Sequence, residues 1–189
     1  MLLRVVEAFD DAADRLLASG RGRRGPDAAA FVASWLGDHG LVWFLFGLVR
    51  GRRPGPRRAI AIRAVVFTGA VTPVVNALVK RAVGRSRPAR PDSDAPLVRV
   101  PRTTSFPSGH ALAAWCAATL FADDNGFAPL YYATAVGVSV SRVHVRLHHA
   151  SDVVAAALLG TALGRLGRAV APQGGRLMRR LECPRRARR

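Results

Sequence analysis

The chain has 189 residues, of which 50% are hydrophobic, and it carries a formal net charge of +17 with an isoelectric point near 11.8. A nucleic-acid-binding domain would account for the charge but not for long apolar segments, whereas a small membrane protein with basic loops accounts for both. The two cysteines, Cys116 in an apolar segment and Cys183 near the C-terminus, imply neither a disulfide framework nor a thiolate metal site.

The first 26 residues predict an N-terminal amphipathic helix followed by a basic linker. The stretch LLRVVEAFDDAADRLL places apolar residues at helical spacing with acidic residues between them. This pattern differs from that of a signal peptide. Such a helix either packs on the rest of the domain or lies at a bilayer surface.

Five apolar segments follow and predict an all-α, membrane-embedded bundle with about five spanning helices, at 27–49, 59–79, 110–122, 128–141 and 152–164. The last three are shorter than the ~20 residues of a straight span, so they span only if their polar flanks are helical too. Pro73 is expected to kink the second segment. We assign residues 27–168 to the bundle and residues 169–189 to a basic C-terminal tail.

The chain contains 28 arginines and a single lysine, Lys80, at the end of the second apolar segment. In the stretch KRAVGRSRP (80–88), Lys80 and Arg87 bracket the predicted helix end, and Pro88 stops the helix. Two cations this close to a membrane-embedded helix indicate an anionic ligand.

The stretch SFPSGHA (105–111) opens the third apolar segment. Ser105 or Ser108 can cap the helix, Gly109 lets a ligand approach the backbone, and the free amides with the helix dipole favour a phosphate. His110 then lies in the first turn, where it can donate a proton. These residues alone are equally typical of an ordinary capped helix start.

The stretch SRVHVRLHHASD (141–152) combines histidines with basic and acidic residues. If it becomes helical, His148 and Asp152 share a face, and the carboxylate orients the imidazole for attack through its other nitrogen. Arg142 can hold two phosphate oxygens. The other polar residues are interpreted as solvated loop residues or lipid head-group contacts: His144, Arg146 and His149.

The order and spacing of these residues resemble the three-part signature of the phosphatidic acid phosphatase type 2 superfamily, over roughly residues 60–165. The three parts are Lys80 with Arg87-Pro88, then Pro107-Ser108-Gly109-His110, then Ser141-Arg142 with His148 and Asp152. The resemblance implies an all-α bundle shared with vanadium-dependent haloperoxidases. The chain departs from many members at His144 and at His149-Ala150, where those members carry aromatic residues and proline.

The resemblance also implies a membrane phosphatase that acts through a phosphohistidine without a metal or other cofactor. His148 would attack phosphorus with help from Asp152, and His110 would protonate the leaving oxygen. Five residues would hold the phosphoryl oxygens: Lys80, Arg87, Ser108, Gly109 and Arg142. The substrate would be a lipid phosphate or diphosphate, phosphatidate-type or polyprenyl-linked, and the partners would be membrane lipids rather than nucleic acid.

Two other functions are considered. A metallohydrolase site could combine His110, His144, His148 and Asp152, but it leaves the three motif cations unexplained because they would repel a metal ion. A non-catalytic basic protein that binds anionic lipids or nucleic acid through its tail accounts for the charge but leaves the ordered signature unexplained.

The distribution of basic residues predicts an active site on the extracytoplasmic side of the cell membrane. With five spans, 14 of the 29 basic residues lie on the motif side and 15 on the other. When Lys80, Arg87 and Arg142 are set aside because the phosphate requires them, 11 basic residues remain on the motif side and 15 on the other. Because basic residues favour the cytoplasm, the motif side is expected to face outward.

Overall fold

The computed structural model describes residues 1–89, 98, 100–101, 103–124 and 126–182. Over these residues the secondary structure is helical without a strand, which confirms the predicted all-α class. The α-helices are α1 (Leu2–Ala18), α2 (Arg24–Gly37), α3 (Leu41–Gly51), α4 (Pro56–Val83), α5 (Gly109–Phe121), α6 (Ala128–His144), α7 (Ala150–Val170) and α8 (Arg176–Glu182).

Helix α5 is the centre of the bundle, and α4, α6 and α7 pack around it. Its sequence, GHALAAWCAATLF, is apolar on every side, which is typical of a helix that is buried all round. A Cβ on Gly160 of α7 would lie 2.4 Å from the carbonyl oxygen of Leu112, and one on Gly164 would lie 2.6 Å from Cβ of Thr119. Small residues on α7 therefore allow close contact between the two backbones.

The predicted segment 27–49 is a bent pair of helices rather than one straight span. Helix α2 ends at Gly37, a 3-10 turn covers Asp38–Gly40, and α3 continues at an angle of 64°. Gly40 has φ 71°, a conformation that favours glycine. The bend turns Asp38 toward the first turn of α5, where its carboxylate approaches His110.

Two helices, α4 and α7, have the length and apolar composition of a membrane span, and the bent α2–α3 pair raises this number to three. Helices α5 and α6 have 13 and 17 residues, below the ~20 of a straight span. The prediction of a helical membrane protein is confirmed, whereas the predicted number of about five spans is not. Helix α4 continues through Pro73.

Helix α1 packs on α6 and α7 beside the end of the bundle that carries the motifs. Ala13 and Leu17 contact the apolar cluster that contains Val143 and Ala150, and Asp10 is buried. Other apolar side chains of the helix are exposed, as expected of an amphipathic helix that also contacts a bilayer. They are Leu3, Val5, Phe9 and Leu16.

The other end of the bundle is closed by a buried arginine and by α8. Arg63 is 5% exposed, donates to the carbonyl oxygen of Ala171 at 2.8 Å, and pairs with Asp123 at 2.5 Å. Met178 of α8 packs against the start of α4. Part of the predicted tail is therefore folded against the bundle, whereas residues 183–189 lie outside the described part of the chain.

Candidate active site

Three separate segments meet at the end of the bundle where α4 ends and α5 and α7 begin. They are residues 80–89, residues 103–110 and residues 142–152, and hydrogen bonds connect each segment to the others. All the site residues predicted from the sequence lie at this end. They are Lys80, Arg87, Ser108, Gly109, His110, Arg142, His148 and Asp152.

His148 is 3% exposed and is held with one ring nitrogen available. Its Nδ1 lies 2.7 Å from the carbonyl oxygen of Ser105, and its Nε2 lies 3.5 Å from Nη1 of Arg87. A carbonyl oxygen accepts only, so this contact places the imidazole proton on Nδ1 and leaves the lone pair on Nε2. Nε2 is thus the nitrogen that can attack a phosphorus atom.

The predicted direct bond from His148 to Asp152 is wrong. Nδ1 and Oδ2 are 3.8 Å apart, longer than a hydrogen bond. The reason is local: α7 begins at Ala150, so His148 precedes the helix and the four-residue helical spacing does not apply. Asp152 accepts instead from the hydroxyl of Ser105 and from the backbone N–H of His149 at 2.9 Å. It therefore reaches His148 through Ser105 and through its charge.

The sequence reasoning missed Arg85, which connects the site to α1. Arg85 Nη1 donates to Asp152 at 2.7 Å and to the Ser151 hydroxyl at 2.7 Å, while Nη2 donates to Asp10 at 2.8 Å. Asp10 in turn accepts the Ser151 backbone N–H at 2.7 Å. The available signal was the position of Arg85 within the KRAVGRSRP stretch, two residues before Arg87.

The three predicted phosphate-binding cations are oriented by neutral oxygens. Arg87 donates to the carbonyl oxygen of Leu147 at 2.6 Å, and Lys80 donates to that of Thr104 at 2.5 Å. Arg142 is 4% exposed and donates to the hydroxyl of Ser34 on α2. These carbonyl and hydroxyl oxygens help to hold the three cations in place.

His110 lies in the first turn of α5 and contacts a residue that the sequence reasoning did not assign to the site. Its Nε2 is 3.3 Å from Oδ1 of Asp38 in the bend between α2 and α3. Ser108 is the N-cap of the same helix. The first backbone N–H groups of α5 and the positive end of its dipole therefore lie at the end of the bundle that carries the three segments.

Several buried polar atoms around this space have no hydrogen-bond partner within the described residues. They are Ser108 Oγ, Thr104 Oγ1, Asn76 Oδ1 and Arg142 Nε. Buried polar atoms are normally paired, so a group of unpaired ones indicates a place for a ligand. The nearby cations and the start of α5, where Ser108 makes no side-chain cap bond, favour an anion such as a phosphoryl group.

A cavity of about 410 Å³ reaches the site from between α3, α4 and α5. Asn76, Gly109 and His110 form its polar end. Its remaining walls are mostly apolar or small: Gly37, Gly40, Trp43, Phe44, Val65, Thr68, Gly69, Thr72, Pro73 and Ala113. The site is therefore open to an apolar group on the side of His110.

A family model, the PAP2 superfamily, matches residues 61–175, which is more than half of the chain. The chain belongs to the PAP2 superfamily. The match includes all three motif segments, and it confirms the family that the spacing of the motifs resembles.

Relatives with known activities agree with this family. The chain is 34% identical over 147 residues to the decaprenylphosphoryl-5-phosphoribose phosphatase of Mycobacterium tuberculosis, and the match covers 76% of this chain and 80% of that protein. The enzyme of the same description from Mycolicibacterium smegmatis is 33% identical over 135 residues, covering 70% and 72%. The predicted class of enzyme, a membrane lipid phosphatase, is thereby confirmed.

A solved structure agrees in fold. The crystal structure of a transmembrane PAP2-type phosphatidylglycerolphosphate phosphatase from Bacillus subtilis superposes with a TM-score of 0.67, covering 91% of this chain and 89% of that chain. The identity is 20%. At this identity the likeness supports the membrane fold alone.

His144 has a different place from the one predicted for it. It is the last residue of α6, it is 6% exposed, and its Nε2 lies 2.8 Å from Asp27 on α2. It joins two helices rather than facing solvent or lipid head groups. The alternative metal site from His110, His144, His148 and Asp152 loses this member, and the described residues contain no group of three suitable side chains.

The electrostatic surroundings of His148 favour the neutral imidazole. Burial lowers the pKa of His148 to about 4, and the charges of Arg87 and Arg142 act in the same direction, while Asp152 opposes them. An ordinary histidine titrates near 6.5. The Nε2 lone pair of His148 therefore stays free of a proton across the physiological pH range.

We expect the His148 imidazole to stay neutral down to about pH 4. NMR of protein labelled at histidine Cε1, recorded against pH, measures the midpoint. Arg87→Gln removes a neighbouring positive charge and should raise that midpoint, whereas Arg81→Gln, at an exposed position of α4, should not. Since the protonated ring cannot attack, the acid limb of kcat/KM should follow the same shift. A wild-type midpoint near 6.5 would contradict this account.

Proposed function

We propose that this lipid phosphatase acts through a phosphohistidine on Nε2 of His148. The observation that carries the proposal is the 2.7 Å contact from Nδ1 to the Ser105 carbonyl oxygen, with Nε2 on the side of Arg87. The imidazole is held in the tautomer that a nucleophile needs. Asp152 supports it through the shared Ser105, and the Arg85–Asp10 network fixes Asp152.

The cations and the start of α5 would stabilise the phosphoryl group in flight. The charge of the transition state is spread over three equatorial oxygens, so fixed donors around them supply most of the catalysis. Lys80 contributes a point charge, whereas Arg87 and Arg142 contribute planar sets of donors. The donors assigned to this role are Lys80, Arg87, Arg142, the Ser108 hydroxyl and the Gly109 N–H.

The reaction would proceed in two steps. In the first, a bond forms between His148 Nε2 and phosphorus while the bond from phosphorus to the lipid oxygen breaks, and His110 gives that oxygen a proton. In the second, His110 takes a proton from water, the water oxygen binds phosphorus, and the bond to His148 breaks with release of phosphate. Asp38, 3.3 Å from His110 Nε2, is placed to orient the His110 ring through both steps.

The substrate we infer is a polyprenyl-linked sugar phosphate. The apolar cavity that ends at Gly109 and His110 provides room for the leaving group on the side where its oxygen is protonated. The relatives described as decaprenylphosphoryl-5-phosphoribose phosphatases match most of the chain at 33% and 34% identity. The likeness to the phosphatidylglycerolphosphate phosphatase is limited to 20% identity, so it supports the fold and gives no support for a glycerophospholipid substrate.

His148→Ala should abolish turnover, because no other group replaces the nucleophile. A brief reaction with ³²P-labelled lipid phosphate, quenched in alkali, should label wild-type protein and leave His148→Ala unlabelled. His110→Ala should form the labelled enzyme more slowly than the wild type, by ~10²-fold or more. Arg81→Gln, at an exposed position of α4, serves as the control. Normal turnover by His148→Ala would rule out the mechanism.

The order of preference among lipid phosphates tests the substrate. We expect kcat/KM to be about tenfold or more higher for decaprenylphosphoryl-5-phosphoribose than for phosphatidylglycerolphosphate or phosphatidic acid, as one well-filled apolar pocket allows. Soluble ribose 5-phosphate, which lacks the lipid, measures the contribution of the cavity. The reverse order among the lipids would reject the polyprenyl substrate and leave the phosphohistidine mechanism intact.

We propose that the active site faces the extracytoplasmic side. The end opposite the site carries the basic loop 50–58 and the basic C-terminal segment, and basic residues favour the cytoplasm. Arg63 belongs to the end opposite the site, but it is buried and paired with Asp123, so its charge is not counted for the orientation. Without Arg63, 14 basic residues lie on the side opposite the site, and 11 lie on the side of the site when the three motif cations are set aside.

Cysteine labelling in intact cells tests this orientation. In protein with Cys116→Ala and Cys183→Ala, a cysteine at Ser19, exposed beside the site, should react with a membrane-impermeant thiol reagent. A cysteine at Gln173, exposed at the other end, should react only after lysis. The opposite pattern would place the active site in the cytoplasm.

A further inference from the structure

A second cavity, of about 770 Å³, lies at the end of the bundle opposite the active site. It is formed by the end of α3, the loop to α4, the start of α4 and the start of α6. Arg57 in this cavity and Lys80 in the active site are 23 residues apart on α4, or about 35 Å at the rise of an α-helix. The two cavities therefore cannot share one head group.

The walls of this cavity combine positive charge with apolar surface. Four arginines line it, and among the described lining residues there is no acidic side chain: Arg50, Arg52, Arg53 and Arg57. Apolar side chains form much of the rest: Phe46, Val49, Ile60, Phe127 and Leu130. An inorganic anion would use the arginines only, whereas a lipid with an anionic head group would use both surfaces.

Tyr131 provides independent evidence of a ligand in this cavity. It is 1% exposed, and its hydroxyl has no hydrogen-bond partner within the described part of the chain. Phe46 and Phe121 pack against its ring, with ring centres 5.2 Å away in each case, and fix its direction. A buried hydroxyl without a partner is unfavourable, so its presence at a wall of a basic cavity indicates an acceptor from a bound molecule.

Arg50 is also positioned over an aromatic ring of the cavity. Its guanidinium carbon lies 4.9 Å from the centre of the Phe127 ring. This contact holds the planar group at the wall by a cation–π interaction. A guanidinium presented in this way suits the oxygens of a phosphate.

We propose that this cavity binds the head group of an anionic glycerophospholipid from the leaflet opposite the active site. Its phosphate would lie among the arginines and accept a hydrogen bond from the Tyr131 hydroxyl. Its acyl chains would follow the apolar wall at Phe46, Val49 and Leu130. Because the cavity joins α3, α4 and α6, the bound lipid would stabilise the end of the bundle remote from catalysis, whatever substrate the enzyme hydrolyses.

The test is thermal unfolding of detergent-purified protein with three additives. Dioctanoylphosphatidylglycerol at a hundredfold excess over its Kd should raise Tm by about 5 °C. Dioctanoylphosphatidylcholine, with no net charge, and inorganic phosphate, with no acyl chain, should each raise it much less. Equal shifts with phosphatidylcholine would reject recognition of charge, and equal shifts with inorganic phosphate would reject a lipid.

Two matched double variants distinguish the cavity from general positive charge. Arg52→Gln/Arg53→Gln removes two charges from the cavity, while Arg165→Gln/Arg176→Gln removes two exposed charges from α7 and α8 outside it. The first should lose most of the shift caused by phosphatidylglycerol, and the second should keep it. Equal losses, or a full shift in the first variant, would overturn the proposal.

Tyr131→Phe removes only the hydroxyl and keeps the packing of the ring. A hydrogen bond to a charged group corresponds to on the order of tenfold in affinity, so the Kd for phosphatidylglycerol should rise by about that factor. Melting in detergent without added lipid serves as the check on folding for every variant. An unchanged Kd in Tyr131→Phe together with an unchanged Kd in the cavity double variant would exclude this cavity.

Discussion

The buried carboxylate of Asp152 is the point at which the three motif segments are joined. It is 0% exposed and accepts hydrogen bonds from Arg85, from the Ser105 hydroxyl and from the His149 backbone N–H. A buried charge with this set of partners is stable, but removal of one partner leaves it uncompensated. The position of His148 depends on this arrangement, since the same Ser105 that donates to Asp152 accepts from the imidazole through its carbonyl oxygen.

This arrangement also explains why α1 belongs to the site although it carries no part of the signature. Asp10 completes the coordination of Arg85, and it accepts the backbone N–H of Ser151 at the start of α7. Arg85 thus pairs with two carboxylates, those of Asp10 and Asp152, and its charge is shared between them. The helix therefore contributes a buried carboxylate to the network of Asp152 while it exposes apolar side chains elsewhere, a pattern typical of helices that contact a bilayer.

The two ends of the bundle use arginine in different ways. At the end that carries the candidate site, Arg87 and Arg142 donate to carbonyl and hydroxyl oxygens. At the other end, Arg63 is buried between the carbonyl oxygen of Ala171 and the carboxylate of Asp123, where it closes the bundle. A high arginine content is thus compatible with three roles: binding of an anion, internal pairing, and contact with lipid head groups.

The sequence by itself determined the helical membrane class, the amphipathic character of α1 and which residues meet at the candidate site. Apolar periodicity reports which faces are buried within one element, and the spacing of charged and polar residues reports chemistry near helix ends. Tertiary structure alone decided that His148 bonds to the Ser105 carbonyl oxygen. Every residue has a backbone carbonyl oxygen, so the sequence does not indicate which one the imidazole will meet. It also decided that Asp10 and Asp38 meet Arg85 and His110, since these contacts cross 75 and 72 residues of chain and depend on how whole helices pack. The angle of 64° between α2 and α3 belongs to the same class: the Gly37–Gly40 stretch permits a bend, but the sequence does not give its angle, and α2 packs on α6 while α3 packs on α4.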